Sequence, residues 1–226
     1  MGLSHSPKIL TEGLAFCIDA ANKRSYSGSG TTLSDLSGNQ HSGTLTNGPV
    51  FSNTDGGCLV FDGTNDYVTF PGGGSLEISD VLTASVWVYY ISGNGRIFQK
   101  DASGGYTRCW EIGGYGGNFR IEMWHSDGTT VGAPTGGALT QNAWTHLAMT
   151  FDGSQIKMYK NTQLVRTLNF AGDIRTASNT PLILGGLWGT GEYLNGKISN
   201  AQLYNRALSS DEIRRNYLAT KSRFGL

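Results

Sequence analysis

The sequence has few charged residues and few cysteines. Charged residues make up 15% of the 226 positions, and 17 basic side chains balance 17 acidic ones. This balance predicts no basic surface for nucleic acid and no electrostatic attraction to a membrane. The three cysteines, Cys17, Cys58 and Cys109, are odd in number and lack a metal-binding spacing. We therefore expect free, buried thiols, and the alternative is a single bridge between two of them.

Long hydrophobic runs are also missing. No stretch approaches the roughly 20 apolar residues that a membrane-spanning helix needs. The opening segment MGLSHSPKILTEG has neither the apolar core nor the basic leader of a signal peptide. We therefore expect synthesis in the cytoplasm, or release by a route that uses no signal peptide.

Glycine is abundant, and its distribution predicts many tight turns between short strands. The 33 glycines interrupt segments rich in β-branched and aromatic residues. A tight hairpin is predicted at residues 63–65, and a second one at Asp152-Gly153. About a dozen strands are predicted, at 13–20, 43–46, 58–62, 66–70, 83–90, 96–100, 106–113, 118–125, 143–153, 154–161, 163–170, 181–186 and 196–205.

One helix is predicted near residues 209–219. Ser209 is its candidate N-cap, and Glu212, three residues later, completes a capping box. Leu208 and Ile213 can form a hydrophobic staple across this cap. The domain organisation that follows is an N-terminal arm at 1–12, a single domain at 13–220 and a C-terminal tail at 221–226.

Several segments resemble a known family. NGKISNAQLYNRALSSDEI is similar to the closing signature of laminin G-like, concanavalin A-like jelly-roll domains. FDGTNDYVTF with SLEISDVLTASVWVYY resembles their first core hairpin and central strand, and WTHLAMTFDGSQIKMYKN resembles their later hairpin. The resemblance implies an all-β, two-sheet antiparallel jelly-roll sandwich with one short C-terminal helix. GLAFCIDAANKRSY and DLSGNQHSG resemble the opening of versions found in tailed-phage virion proteins.

No catalytic residues are predicted. Some related hydrolases carry Glu-x-Asp-x-x-Glu on one strand, and this spacing is missing here. Glu111 and Glu122 can face each other on neighbouring strands, but we interpret them as hydrogen-bonded or solvated strand residues. The four histidines accompany no serine elbow, and His146 is interpreted as a packing residue.

Aromatic side chains near Gly-rich loops are the candidates for carbohydrate binding, because sugars pack on exposed aromatic faces. Trp87 and Trp144 lie in alternating strands and are predicted to be core residues. The candidates are Trp110, Tyr115, Trp124, Trp188 and Tyr193.

The family resemblance also implies one structural calcium ion, which needs six to eight oxygen ligands. The closing strand departs from the family, because Ser199-Asn200 stands where relatives often carry an acidic pair. The alternative is that the acidic residues stabilise turns. The candidate ligands are Asp19, Asp62, Asn65 and Asp66.

Three functions are weighed. The first is a non-enzymatic virion structural or decoration protein of a tailed phage, located in the virion and contacting other virion proteins or sister copies as a homo-oligomer. Apolar residues of the arm, Ile9 and Leu10, are expected to make these contacts. The second is a carbohydrate-binding, lectin-like adhesion module that recognises a host surface glycan. The third is a glycoside-active enzyme. None predicts a nucleic-acid or membrane partner.

Overall fold

A computed structural model describes residues 7–101, 108–186 and 191–226. Its strands form two antiparallel sheets, and one α-helix, α1 (Ser210–Thr220), follows them. The first sheet contains β1 (Leu14–Asp19), β4 (Val50–Ser52), β5 (Cys58–Asp62), β7 (Leu82–Ser92), β12 (Ala143–Phe151), β13 (Gln155–Lys160), β14 (Gln163–Asn169) and β16 (Asn195–Tyr204). The second contains β2 (Thr32–Leu33), β3 (Gly43–Thr46), β6 (Tyr67–Phe70), β8 (Gly95–Lys100), β9 (Trp110–Tyr115), β10 (Asn118–Met123), β11 (Thr135–Ala138) and β15 (Leu182–Leu184).

The strand order confirms a sandwich. The first sheet runs β14-β13-β12-β7-β16-β5-β4, with β1 also paired to β16, and the second runs β11-β10-β9-β8-β15-β6-β3-β2. The main core contains Phe16, Phe70 and Phe98, whose ring centroids lie 4.7 Å (Phe16–Phe70) and 6.2 Å (Phe16–Phe98) apart. This arrangement is the predicted two-sheet antiparallel jelly-roll architecture.

The hairpin predicted at residues 63–65 is wrong. β5 pairs with β4 and β16 in the first sheet, whereas β6 pairs with β3 and β15 in the second. The short connection therefore passes between the sheets. Side chains stabilise it, because the Asp66 carboxylate accepts the Asp62 N–H at 3.1 Å and the Asp62 carboxylate accepts the Thr64 N–H at 2.7 Å. The turn is as tight as a hairpin turn, but it joins strands of different layers.

The second predicted hairpin is confirmed. β12 and β13 pair from Leu147↔Lys160 to Phe151↔Ile156, and the Asp152 carboxylate accepts the backbone N–H of Ser154 at 3.0 Å. β7 is also central as predicted, because it lies between β12 and β16. Three short strands were not predicted: β2, β4 and β11. Their sequences are rich in Ser, Gly and Thr or lie among such residues, and neighbouring strands supply their pairing.

The helix docks on the outer surface of the first sheet. Ser209 caps it through the predicted capping box, in which the Ser209 hydroxyl accepts the Glu212 N–H at 3.3 Å and the Glu212 carboxylate accepts the Ser209 N–H at 2.9 Å. Leu208 and Ile213 share one buried cluster, as the staple requires. At the other end of α1, the Trp87 indole N–H donates to Thr220 Oγ1 at 2.9 Å.

Both chain ends that the structure describes pack against this surface. The Leu10 N–H donates to Asn216 Oδ1 at 2.9 Å, and the Leu10 carbonyl accepts the Tyr204 hydroxyl at 3.0 Å. Residues 221–226 include a 3-10 turn, Lys221–Phe224, and the Phe224 ring lies 4.2 Å from the Trp87 ring and 4.6 Å from the Trp144 ring, between centroids. Leu10 and Phe224 therefore contact their own chain.

Two further expectations are tested by the described residues. All three cysteines are free and buried, which confirms that prediction. Among the residues that the structure describes, no helix has the length and apolar character needed to cross a membrane.

Candidate functional site

Ionisable side chains collect on the face of the second sheet that points away from the core. Alternate residues of a strand point to opposite faces, so Ile112 faces the core while Glu111, Gly113 and Tyr115 face the other way. Neighbouring strands and one loop add further charges to this surface. We call this surface the charged face; it comprises Arg96, Gln99, Asp101, Glu111, Gly113, Tyr115, Arg120, Glu122 and Glu192.

Arg96 is the centre of the charged face. Its guanidinium is only 2% exposed and contacts three carboxylates: Asp101 at 2.7 Å, Glu111 at 2.7 Å and Glu192 at 2.6 Å. It also donates to Gln99 Oε1 at 3.0 Å. A register shift between Arg96 and Phe98 allows this placement, because it turns Arg96 out of the core while Phe98 stays in it. Removing one partner of such a buried charge network is strongly destabilising.

Glu111 and Glu122 lie directly opposite each other on β9 and β10, as the sequence suggested. The Arg120 Nη2 atom lies 2.6 Å from Glu122 Oε1 and 3.7 Å from Glu111 Oε1, so one guanidinium contacts both carboxylates. The 2.7 Å approach of Glu111 to Arg96 is a charge contact and not an aligned hydrogen bond. Glu111 has no exposed side-chain surface, whereas Glu122 is 13% exposed.

Burial perturbs the acid–base behaviour of this surface. Burial raises the pKa of Glu111 to about 7, and the Arg96 charge opposes that rise. Burial and then the Glu111 charge raise the pKa of Tyr115 above its usual value. Burial, the largest influence, lowers the pKa of Arg96, but Glu111, Tyr115 and Glu192 together outweigh it and raise that pKa above its usual value. Perturbed groups of this kind concentrate at functional sites, although structural ion pairs also produce them.

Tyr115 and Arg120 form a layer over the sheet. The Arg120 guanidinium carbon lies 3.5 Å from the centroid of the Tyr115 ring. Gly113 makes the layer fit, because a Cβ there would lie 2.6 Å from the Tyr115 ring and 2.8 Å from Glu111 Oε1. Both side chains remain partly exposed, and the buried Tyr115 hydroxyl has no hydrogen-bond partner among the described residues. The layer is a cation–π pair that presents an amphipathic surface.

The structure separates the predicted carbohydrate-binding aromatics. Trp110 is 1% exposed and packs edge-on against Phe98 at 5.1 Å between centroids, so the expectation of an exposed ring is wrong there. Trp124 is 9% exposed, and its ring is covered by the Arg108 guanidinium at 5.5 Å. Its location at the end of β10, against the sandwich, explains this burial.

One other candidate lies on the charged face, and another follows one of its residues in the chain. Tyr115 belongs to it, and Tyr193 follows Glu192 and packs its partly exposed ring against Gly186. Trp188 lies outside the described residues. Trp87 and Trp144 are buried as predicted, beneath α1 and the C-terminal turn rather than in the main core. His146 packs on Trp87 at 5.3 Å between centroids, and complete burial lowers its pKa to about 4.

The four candidate calcium ligands do not form one site. Asp19 and Asp62 pair with Asn200 and Asn195 of β16, five residues apart, a separation of roughly 16 Å along a strand. Both carboxylate oxygens of Asp19 accept hydrogen bonds from the Arg223 guanidinium at 2.7 Å, so they are already paired with a cation.

The other two candidates serve the inter-sheet turn. Burial raises the pKa of Asp66, which accepts from the Asp62 backbone, and the Asn65 carbonyl accepts from the Asn47 side chain at 2.9 Å. Within the described ranges, no group of three or more His, Cys, Asp or Glu residues is placed to hold a metal ion. The residues present do not fit the calcium site that the resemblance implies.

Sequence reasoning missed Arg96, Asp101 and Arg120. A signal was available for Arg120, because NFRIEM places this arginine among alternating apolar residues. Such a strand has one apolar face and one face that buries charge only if carboxylates lie opposite. The loop residue Glu192 carried no local signal.

Comparisons with known proteins agree with this architecture. A search of curated proteins finds no match. Among solved structures, domain 4 of AbnA, an extracellular arabinanase from Geobacillus stearothermophilus solved with arabinotriose, is 21% identical with a TM-score of 0.68, covering 95% of this chain and 100% of that one. The binding domain of Paraclostridial Mosquitocidal Protein 1 is 16% identical with a TM-score of 0.71, and the match covers 92% of this chain and 52% of that one.

The ligand-binding domain of botulinum neurotoxin serotype D, solved with N-acetylneuraminic acid, is 11% identical with a TM-score of 0.71, covering 92% of this chain and 51% of that one. The chain thus spans about half the length of these toxin domains. At these identities the likeness shows the fold. A family model, Laminin_G_3 of the concanavalin A-like lectin/glucanases superfamily, matches residues 62–214, about two thirds of the chain, and the protein therefore belongs to this family.

Proposed function

We propose that the chain is a non-enzymatic, glycan-binding module and that the charged face is its binding surface. The observation that carries this proposal is the layer of Tyr115 and Arg120 above the buried Arg96–Glu111 pair. The buried charges fix the layer, while the partly exposed ring, guanidinium and Glu122 carboxylate face outward.

This arrangement has the chemistry that a sugar requires. Sugar hydroxyls both donate and accept hydrogen bonds, so a guanidinium beside a carboxylate can bind adjacent hydroxyls. The part of the Tyr115 ring that Arg120 leaves exposed can pack against the apolar C–H surface of the sugar. Because Arg120 is held by Tyr115 and Glu122 before a ligand arrives, binding orders few side chains and loses little entropy.

The similar structures support a glycan ligand at the level of fold. The AbnA domain was solved with arabinotriose, and the serotype D domain with N-acetylneuraminic acid. The match extends over the full length of the AbnA domain, so the fold comparison includes that whole domain. These two sugars are therefore the first ligands to test.

The geometry of the two glutamates supports a binding rather than a catalytic role. A glycosidase needs a carboxyl group that reaches the scissile bond and a second carboxylate across the cleft. Glu111 has no exposed surface, and Arg120 lies between it and Glu122.

The test is a glycan array followed by calorimetry with arabinotriose and N-acetylneuraminic acid. Arg120→Ala should weaken binding of the recognised glycan at least about tenfold, since it removes a charge-assisted hydrogen bond and the cation–π layer. Arg166→Ala, on exposed β14, is the matched control and should change affinity less than about twofold. An unchanged affinity in Arg120→Ala would place the glycan elsewhere.

A second candidate function is display of this module on a tailed-phage virion, in contact with sister copies. It is supported by the resemblance of residues 13–26 and 35–43 to phage virion sequences. A surface for sister copies is available at β14, a sheet edge where Leu164 is 53% exposed. Mass spectrometry of purified virions tests this location. If Leu164→Lys and the wild-type protein have the same molecular mass in solution, the β14 contact is contradicted.

A further inference from the structure

We propose that a second, separate site binds a linear acidic glycan, a polysaccharide that carries carboxylate groups. The site is an elongated groove formed by the N-terminal segment, the end of β1 with the following turn, and the C-terminal turn. It lies outside the charged face and shares no residue with it, so it does not depend on the function proposed above.

The groove consists of three adjoining cavities of about 750, 480 and 280 Å³. Neighbouring cavities share lining residues, so they lie side by side. The first and second share Asp19, Asn22 and Arg223, and the second and third share Ala21, Lys23 and Gly56. Ligand pockets for small molecules fall in the range of roughly 300–1,000 Å³, so the groove can hold several sugar units in a row. We call it the basic groove.

The lining is strongly cationic although the whole chain has no net charge. Lys8, Lys23, Arg24 and Arg223 line the groove, and among the described lining residues Asp19 is the one carboxylate. Asp19 and Arg223 cancel each other through two contacts of 2.7 Å.

The remaining three cations are available to a ligand. Lys8, Lys23 and Arg24 are exposed, and none forms an ion pair with a described residue. Three free positive charges along a concave surface attract an anionic ligand and accelerate its association.

Amide side chains make the first cavity suitable for hydroxyl groups. Asn22, Asn200 and Gln202 line it. Asn200 is 4% exposed, and its buried Nδ2 has no hydrogen-bond acceptor among the described residues. A buried donor without a partner costs free energy unless a ligand or water satisfies it.

The far end of the groove offers an aromatic surface. Tyr26 and Phe51 pack with their ring centroids 5.5 Å apart, and Phe51 remains half-exposed. One aromatic surface, a row of amides and three cations fit a chain of acidic sugars. A nucleic-acid strand, by contrast, requires repeated aromatic platforms for successive bases.

The experiment measures binding of short oligogalacturonates by calorimetry at about 50 mM NaCl, where charge contacts are weakly screened. The double variant Lys23→Glu/Arg24→Glu should weaken binding at least about tenfold, because two attractions become repulsions. Arg166→Glu/Arg214→Glu makes the same change in net charge at exposed positions outside the groove and should alter affinity less than about threefold. Raising NaCl to about 500 mM should weaken oligogalacturonate binding by the wild-type protein and reduce the difference in affinity between the two double variants.

Three outcomes would overturn the proposal: no binding of oligogalacturonate, equal affinity in the two double variants, or tighter binding of an oligothymidylate of equal length. Arg120→Ala separates this site from the charged face. It should leave oligogalacturonate binding intact while weakening the glycan bound at the charged face. If instead Arg120→Ala alone abolishes oligogalacturonate binding, the acidic glycan binds the charged face and the basic groove is not a site.

Discussion

Replacing Phe224 with alanine tests whether the C-terminal turn is part of the folded domain. The ring lies 4.2 Å from Trp87 and 4.6 Å from Trp144, and the side chain is half-buried. Full burial of a phenylalanine stabilises by about 1.5–3 kcal/mol, and an aromatic pair adds about 0.5–1.5 kcal/mol. Half of the burial term together with one such pair gives about 2 kcal/mol for Phe224→Ala.

Urea unfolding measures this loss as a change in the free energy of unfolding, and calorimetry should show a Tm lower by about 4–8 °C for a chain of this length. Leu226→Ala is the control, since Leu226 is 48% exposed and should change stability by less than about 0.5 kcal/mol. Glycan binding at the charged face should be unchanged. If Phe224→Ala behaves like Leu226→Ala, the turn does not dock as described and the cluster around Trp87 closes without it.

Three other measurements follow from the same structure. Ser209→Ala removes the capping oxygen and should lower the free energy of unfolding by about 1 kcal/mol in urea titrations; no change would show that α1 begins independently of this cap. The pKa of His146 is about 4 in the folded protein and 6.5 in the unfolded chain, so its contribution to the free energy of unfolding is fully present above pH 6.5. That contribution is lost as the pH falls toward 4, by about 3 kcal/mol. The His146→Gln variant should lack this part of the pH dependence, and identical pH profiles of variant and wild type would refute the reasoning. Reducing-sugar assays on β-glucans and galactans should show no hydrolysis, and activity that disappears in Glu111→Gln or Glu122→Gln would establish an enzyme.

The sequence predicted the fold well where a local pattern determined a strand or a cap. Alternating apolar residues located β1, β7, β12 and β16 to within a few residues. The capping residues located the start of α1. The pattern could not say which sheet a strand joins. β5 and β6 both have an apolar face and a tight connection, and only their other neighbours assign them to different layers.

The aromatic candidates show why composition is a weak guide to a binding surface. Trp110 and Tyr115 begin and end the same strand, and both lie next to glycine-rich sequence. They face opposite sides of the sheet, because their positions differ by five, an odd number, and side chains alternate along a strand. Trp110 therefore enters the core, and Tyr115 joins the charged face. The parity of a residue within its strand decides this, and parity is fixed only when the strand limits and its bulges are known.

The charged face also required information that no single segment contains. Arg96 lies on β8, Glu111 on β9, Arg120 and Glu122 on β10, and Glu192 in the loop before β16. Each of these residues alone would be costly to bury, because a lone charge loses its hydration without compensation. The strand order β10-β9-β8 brings the opposite charges into contact, and Glu192 reaches Arg96 from ninety-six residues further along the chain. Burial of these charges is therefore a consequence of topology, and so is the fixed position of the Tyr115–Arg120 layer on which the proposed glycan recognition depends.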